Sequence, residues 1–213
     1  MKINEIFFGI QGEGKTAGEP RLFIRLSGCN LQCSFCDTKY HTEGKIKLTT
    51  KQIRLLTEYK KWCFTGGEPL LQQDTIQHLI LSFLPKWVEI ETNGTILPNE
   101  VVAQFIDQYN VSPKEKRFQL PQSKPEPIIL ANKNILAKSI VKFVYSDIAS
   151  RRFIKKIESE YLISRDQIWV MPEGKTRKEQ LAREKFVWLW CVRMEYNFSP
   201  RLHTNLFNLT RGL

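Results

Sequence analysis

Short apolar runs alternate with longer segments of helical period along most of this 213-residue chain. Such alternation is typical of α/β folds and argues against an all-helical bundle. The short apolar runs predict six strands, at residues 21–26, 63–65, 87–91, 109–111, 140–144 and 168–171. The periodic segments predict helices at residues 49–61, 74–84 and 147–161. Since strand, helix, strand order favours parallel pairing, we expect a mostly parallel sheet with active-site residues at its strand ends.

A closed eight-unit barrel of this kind takes about 250 residues, so the chain is too short for one. A partial (β/α) barrel or an open sheet remains, in one domain spanning residues 1–213. Residues 114–138 interrupt the alternation, because they contain three prolines and show no clear period. We interpret them as a long connection or an insertion.

Composition limits the class of protein. With 42% hydrophobic and 25% charged residues the chain is ordinary for a globular domain, and the sequence contains no apolar stretch of the roughly 20 residues that cross a bilayer. We therefore expect a cytoplasmic protein. The net charge of +10 would attract nucleic acid, an acidic partner or a carboxylate-bearing small molecule. The basic residues are dispersed, which favours ordinary solvated helix faces.

Three of the five cysteines fall within eight residues, at Cys29, Cys33 and Cys36, directly after the first predicted strand. An odd number of cysteines argues against a disulfide framework, and Cys63 and Cys191 are expected to be core residues. Three thiolates can hold a cubane iron–sulfur cluster and leave one iron open to a ligand. A structural zinc ion is the alternative; it needs a fourth ligand, which His41 could supply.

Polar loops follow three successive predicted strands. They are TGGEP at 65–69, ETNGT at 91–95 and SPK at 112–114. Adjacent glycines leave backbone groups uncovered for a polar ligand, and the carboxylate and amide of the second loop suit hydroxyl groups. Each loop alone could be a simple turn. Together with the cysteines, on one rim of a parallel sheet, they predict a single site.

The cysteine spacing followed by a GGEP loop resembles the radical S-adenosylmethionine (radical SAM) superfamily. Within it, the chain is similar to the 7-carboxy-7-deazaguanine synthases, which serve queuosine and 7-deazapurine biosynthesis. Further matching motifs run nearly end to end: IQGEG at 10–14, CDT at 36–38, MPEG at 171–174, SPRLH at 199–203 and the final RGL. The resemblance implies a partial-barrel fold of mostly parallel strands and a lyase that contracts the ring of 6-carboxy-5,6,7,8-tetrahydropterin with loss of ammonia.

The resemblance also implies roles for individual residues. A 4Fe-4S cluster would be held by Cys29, Cys33 and Cys36, and a magnesium ion by Thr38, for which helix capping is the alternative role. Contacts to the substrate are implied for Ile10, Gln11, Gly12, Arg25, Thr65 and Leu213. Contacts to S-adenosylmethionine are implied for Phe35, Cys36, Asp37, Gly67, Ser112, Pro113, Lys114, Met171, Pro172, Glu173 and Gly174.

A physical argument also supports a substrate contact at Arg25. Side chains alternate along a strand, so Phe23 and Arg25 share a face that could line the barrel interior. A lone arginine there would be costly unless an anion met it, and a guanidinium can bind a carboxylate through two parallel hydrogen bonds. A substrate carboxylate would be such an anion; a surface ion pair is the alternative.

Two other functions remain compatible with the sequence. One is a glycyl-radical activating enzyme that acts on a partner protein; IQGEG and SPRLH favour the pterin substrate instead. The other is a basic nucleic-acid-binding module with a structural zinc. As partners of the enzyme we expect a flavodoxin-like or other electron donor and a second copy of the chain. The aromatic run at 185–192 is either a buried strand or helix, or a subunit contact.

Overall fold

Eight strands form one sheet in the computed structural model, which describes residues 1–34, 36, 38, 44, 47–208 and 210. The strands follow one another in sequence order across the sheet. They are β1 (Ile3–Ile10), β2 (Pro20–Leu26), β3 (Lys61–Gly66), β4 (Trp87–Thr92), β5 (Gln108–Val111), β6 (Ser139–Tyr145), β7 (Ile168–Pro172) and β8 (Asn197–Phe198). β1 is antiparallel to β2, and every later pair is parallel. The predicted partial barrel of mostly parallel strands is confirmed.

Helices connect most of the parallel strands. They are α1 (Thr50–Glu58), α2 (Gln73–Phe83), α3 (Glu100–Phe105), α4 (Lys133–Ala137), α5 (Ile148–Tyr161), α6 (Arg177–Met194) and α7 (Leu202–Phe207). Local chemistry sets several of their starts. Thr49 and Gln52 form a reciprocal capping box at α1, and Asp147 accepts two backbone N–H groups at the start of α5. Such caps satisfy amides that have no partner within the helix.

The strands turn alternate side chains to opposite faces, and the helices cover one of them. On β3, for example, Trp62 and Phe64 join the apolar cluster formed with residues of α1, α2 and α5. Their neighbours Cys63 and Thr65 point to the other face. We call these the outer face and the inner face. Full burial of each large apolar side chain on the outer face contributes about 1.5–3 kcal/mol.

The six predicted strands and three predicted helices are all present, with ends displaced by at most a few residues. The sequence analysis missed β1, which pairs antiparallel at the edge of the sheet and carries a register irregularity between Ile3 and Glu5. Residues 114–138, interpreted as an unpatterned connection, contain two short 3₁₀ turns and α4. Ile129 and Leu130 anchor that segment, since both are buried.

The aromatic run at 185–192 lies in α6. Val187, Trp190 and Cys191 are buried, which agrees with the interpretation as a helix packed on the sheet. Phe186 and Trp188 stay about half exposed. Cys63 and Cys191 are core residues as predicted. Among the described residues, no helix is both long and apolar enough to span a membrane.

Candidate active site

A cavity of about 1090 Å³ opens on the inner face of the sheet, at the carboxyl ends of the parallel strands. Most residues proposed from the sequence line it. On the substrate and metal side these are Ile10, Gln11, Gly12, Arg25, Thr65, Cys29, Cys33, Cys36 and Thr38. Those proposed for S-adenosylmethionine are Gly67, Ser112, Lys114, Met171, Glu173 and Gly174. The structure therefore brings these segments to one place.

Five other proposed residues are placed differently. Pro113 and Pro172 are buried beside residues that line the cavity. Phe35, Asp37 and Leu213 lie outside the described residues, as does His41, the fourth ligand considered for zinc.

Backbone hydrogen bonds hold the cysteine loop against the TGGEP loop. The N–H of Glu68 donates to the carbonyl of Gly28 at 2.8 Å. The approach is so close that a Cβ at Gly67 would lie 1.9 Å from that same carbonyl oxygen. Gly28 itself has a φ of 91°, a conformation that glycine adopts at little cost. Glycine is therefore required on both sides of this contact.

Side chains tie the same rim to the ETNGT loop. Asn93 donates from its amide to Oδ1 of Asn30 at 3.0 Å, and Asn30 in turn donates to Thr95 at 2.7 Å. Glu68 is fully buried and accepts from the backbone N–H of Asn93 at 2.7 Å and from the hydroxyl of Thr92 at 2.8 Å. The buried carboxylate of Glu68 thus holds the ETNGT loop against the TGGEP loop. The sequence had not indicated this role.

The three clustered cysteines are free thiols, and each is partly exposed. Burial and the nearby carboxylate of Glu68 raise the pKa of the Cys29 thiol. The backbone N–H of Leu31 donates to Sγ of Cys29 at 3.4 Å, and the amide of Gln119 donates to Sγ of Cys33 at 2.9 Å. Within the part of the chain that the structure describes, no three histidine, cysteine or carboxylate side chains are grouped closely enough for one metal ion.

The donor set fits an iron–sulfur cluster. Three thiols of one loop face a cavity large enough for a further ligand, and amide N–H groups already point at two of the sulfurs. Thiolates bind soft metals, and hydrogen bonds to the sulfur atoms are the usual outer contacts of such clusters. A cluster held by three protein thiolates keeps one iron open to a ligand in the cavity.

Arg25 lies on the inner face next to Phe23, and both line the cavity as predicted. It is not the lone arginine that we expected. Its Nε donates to Oε1 of Glu5 at 2.7 Å, and its guanidinium lies 5.9 Å from the ring centroid of Phe7. Both partners belong to β1, the strand that the sequence analysis missed. A ligand carboxylate that binds the guanidinium of Arg25 would therefore share it with the carboxylate of Glu5.

A network of charged side chains lines one wall of the cavity. We call these side chains the floor network. Glu13 and Glu91 are its carboxylates, and the ammonium group of Lys142 lies between them. Its Nζ is 3.0 Å from Oε2 of Glu13 and 3.2 Å from Oε1 of Glu91. Thr65 donates to Oε2 of Glu91 at 2.8 Å. The sequence analysis quoted the motifs that contain the glutamates but gave these residues no role.

The carboxyl-terminal part of the chain closes the floor network. Nε of Arg201 donates to Oε1 of Glu13 at 2.8 Å, and Nε2 of His203 lies 3.8 Å from the same oxygen. A Cβ at Gly12 would lie 2.2 Å from Nδ1 of His203, so only glycine allows this approach. A lysine between apolar neighbours in β6, Lys142, was the sequence signal that could have indicated the network.

Known proteins match this chain along most of its length. The radical SAM superfamily profile matches residues 23–114, which include the cysteine loop. A 7-carboxy-7-deazaguanine synthase from Halobacterium salinarum is 34% identical, over 98% of this chain and 91% of the relative. One from Hyperthermus butylicus is 32% identical, over 95% of this chain and 91% of the relative.

A solved structure shares the fold. A crystal structure of QueE from Escherichia coli superposes with a TM-score of 0.66 at 22% identity, covering 95% of this chain and 94% of that one. Both relatives are named 7-carboxy-7-deazaguanine synthase, which favours that activity over the glycyl-radical activating enzyme. This chain belongs to the 7-carboxy-7-deazaguanine synthase family of the radical SAM superfamily.

Proposed function

We propose that the protein converts 6-carboxy-5,6,7,8-tetrahydropterin to 7-carboxy-7-deazaguanine with loss of ammonia. The observation that carries this proposal is similarity along almost the whole chain to synthases of that name, at 34% identity over 98% of its residues. The cavity supports it, because the cysteine loop and a polar wall face the same space. An enzyme of this kind places reacting atoms and excludes side reactions, while its cofactors supply the radical chemistry.

Cys29, Cys33 and Cys36 would hold a 4Fe-4S cluster. The chemistry that such a cluster would supply is one-electron reduction of S-adenosylmethionine. The chain's own contribution is to fix the loop. The bond between Glu68 N–H and the Gly28 carbonyl, and the contact of Gly67 with Gly28, keep the thiols at the cavity rim.

S-adenosylmethionine would lie along the rim formed by three loops. Its contacts would come from Phe35, Cys36, Asp37, Gly67, Ser112, Pro113, Lys114, Met171, Pro172, Glu173 and Gly174. Two of the loops are bonded to the strand ends beside them, since the N–H of Ser112 donates to the Thr92 carbonyl and that of Glu173 to the Tyr145 carbonyl. Nζ of Lys114 is held by the hydroxyl of Ser112 at 2.8 Å. Backbone groups fixed in this way suit a polar ligand with amino and carboxylate groups.

The pterin would bind against the inner face, in contact with Ile10, Gln11, Gly12, Arg25, Thr65 and Leu213. Arg25 would bind its carboxylate while sharing its charge with Glu5. Gln11 is almost fully buried and donates to Oε1 of Glu89 at 2.8 Å, which fixes the orientation of its amide. The amide nitrogen also donates to Glu91 at 3.3 Å, so Gln11 has its oxygen to offer to the ligand, in one fixed orientation.

A magnesium ion would bind the hydroxyl of Thr38, which lines the cavity. An oxygen ligand suits this hard cation, and the substrate carboxylate and water would complete its coordination. The ion would then orient the substrate and offset developing negative charge.

Two partners are proposed. One is an electron donor of the flavodoxin type; the net charge of +10 on this chain would favour the approach of an acidic donor. A second copy of the chain would cover the exposed apolar residues of α6. Phe186, Trp188, Leu189 and Val192 are each about half exposed or more, and large aromatic residues of this kind are enriched at interfaces.

The direct test is an anaerobic assay of the reconstituted protein with 6-carboxy-5,6,7,8-tetrahydropterin, S-adenosylmethionine, Mg²⁺ and a reductant. Mass spectrometry should detect 7-carboxy-7-deazaguanine and release of ammonia. A protein with Cys33→Ala, treated identically, is the control for uncatalysed conversion. Absence of product from wild-type protein that carries a full cluster would overturn the proposal.

A further inference from the structure

The floor network contains a buried cation to which the proposed function gives no task. The side chain of Lys142 is only 4% exposed and lies on the inner face of β6, at the cavity. An unpaired ammonium group in such a place would be strongly unfavourable. Lys142 is paired with two carboxylates, Glu13 and Glu91, that both line the cavity.

The two carboxylates depend on Lys142 to different degrees. Glu13 is also bonded to Arg201 at 2.8 Å and approached by His203 at 3.8 Å. The other described hydrogen-bond partners of Glu91 are neutral: Thr65 at 2.8 Å and Gln11 at 3.3 Å. Glu91 therefore relies on Lys142 for its balancing charge.

Other charged or titratable groups near this pair come from several elements. They are Cys63 on β3, Glu89 on β4, Glu13 in the loop after β1, and Arg201 and His203 before and within α7. Burial would raise the pKa of Glu91, and Glu13 would raise it further, yet the charge of Lys142 and the hydrogen bonds from Thr65 and Lys142 together lower it. Removal of Lys142 reverses the balance, so the pKa of Glu91 should rise above its usual value.

We propose that Lys142 is a positioning residue, which keeps Glu91 ionised and fixed as a hydrogen-bond acceptor on the cavity wall. That wall then favours a ligand edge that carries N–H donors over one that carries acceptors. This second statement rests on the proposed function, since a reduced aminopterin presents several N–H groups. Glu91 is a quarter exposed, and it lines the cavity.

A purely structural ion pair makes a different prediction. Breaking it would lower stability, and the loss would vary with pH as the unpaired carboxyl group titrates. Ligand affinity, however, would not vary with the protonation of Glu91. The proposal requires a carboxyl group that takes up a proton between pH 5 and 9 once Lys142 is gone. Lys142→Met removes the charge and keeps most of the volume, Lys142→Arg keeps the charge, and Lys155→Met, at an exposed lysine of α5, is the matched control.

The first measurement needs no substrate. A carboxyl group with a raised pKa in the folded state is protonated there but ionised in the unfolded chain, where its pKa is about 4.3. Stability is then lost as pH rises from that value to the folded pKa. The melting temperature of Lys142→Met, relative to wild type, should therefore fall between pH 5 and 8. Lys142→Arg and Lys155→Met should follow wild type throughout.

The second measurement uses holoenzyme with S-adenosylmethionine bound and 6-carboxy-5,6,7,8-tetrahydropterin as the probe, by anaerobic calorimetry. The affinity of Lys142→Met, relative to wild type at the same pH, should be about tenfold lower at the acid end of the range from pH 5 to 9, where more of Glu91 is protonated. It should recover toward pH 9. Stability and affinity thus change in opposite directions with pH, which the loss of a structural contact alone would not produce.

The double variant Glu91→Gln/Lys142→Met identifies the titrating group. Without the carboxyl group, the pH dependence of its melting temperature should return to that of wild type. The proposal is overturned if Lys142→Met melts with the pH dependence of wild type, or if the double variant retains the new dependence. Failure of wild-type holoenzyme to bind the pterin would instead count against the proposed function, because the melting experiment is independent of any ligand.

Discussion

The two faces of the same strands carry opposite kinds of side chain. On the outer face, Trp62, Phe64 and Ile90 are fully buried in one apolar cluster with the helices. On the inner face, one position along, Thr65 and Glu91 are bonded to each other beside the cavity. Adjacent residues of a strand thus serve different purposes: one packs in the apolar core, and the next lines the cavity. A single substitution on a strand should therefore affect mainly one of the two properties, stability or ligand binding.

The largest effect is expected where the cysteine loop meets the inner face. Cys33→Ala should remove the iron–sulfur cluster and all activity, because three thiolates are needed to hold it. Iron and sulfide content and the visible absorbance after anaerobic reconstitution measure this. Cys63→Ala is the control, since that thiol is buried on the inner face away from the loop. Loss of the cluster in Cys63→Ala, or full iron in Cys33→Ala, would contradict the assignment.

The next largest effect tests the outer face. Phe64→Ala should lower the free energy of unfolding by about 3–5 kcal/mol, because it leaves a cavity in a packed core. Urea denaturation measures this. The folded fraction should bind S-adenosylmethionine as wild type does.

Thr65→Val is the matched variant on the inner face, one residue away. It removes the bond to Glu91 while nearly conserving shape, so it should cost only about 1–2 kcal/mol of stability. Pterin affinity should fall. A similar stability loss in both variants would mean that the two faces are not divided as described.

Acid stability tests the charged part of the inner face. Burial would raise the pKa of Glu13, but Lys142 and Arg201 outweigh it and hold that pKa well below the usual value. A carboxyl with a depressed folded pKa stabilises above its unfolded pKa, and this contribution is lost as pH falls through the folded value. Glu13→Gln should therefore cost roughly 3 kcal/mol at pH 7 and clearly less at pH 3. An equal loss at both pH values, in urea denaturation, would refute this.

The smallest effect is expected at a helix cap remote from both faces. Thr49 accepts from the N–H of Gln52 at the start of α1 and is exposed. Thr49→Ala should cost about 1 kcal/mol of stability. Turnover should match that of wild type. Chemical denaturation and the mass-spectrometric assay measure the two quantities on the same sample.

The sequence predicted what depends on local pattern. The apolar run at 63–65 predicted β3, and the spacing of Cys29, Cys33 and Cys36 predicted the cluster loop. Partners that are distant in sequence were not predictable in the same way. Glu13 and Arg201 are 188 positions apart, and only the completed sheet brings them to 2.8 Å. Glu5, the partner of Arg25, lies on an antiparallel edge strand that the parallel pattern did not indicate.

The central claim is that the polar inner face is where the substrate binds. A crystal structure of the anaerobically reconstituted protein with S-adenosylmethionine and 6-carboxy-5,6,7,8-tetrahydropterin tests it most directly. The pterin should lie within hydrogen-bond distance of Arg25 and Thr65, with the methionine moiety of S-adenosylmethionine next to the cysteine loop. A pterin bound outside the cavity, with Arg25 still paired only to groups of the protein, would show that the inner face is not the substrate site.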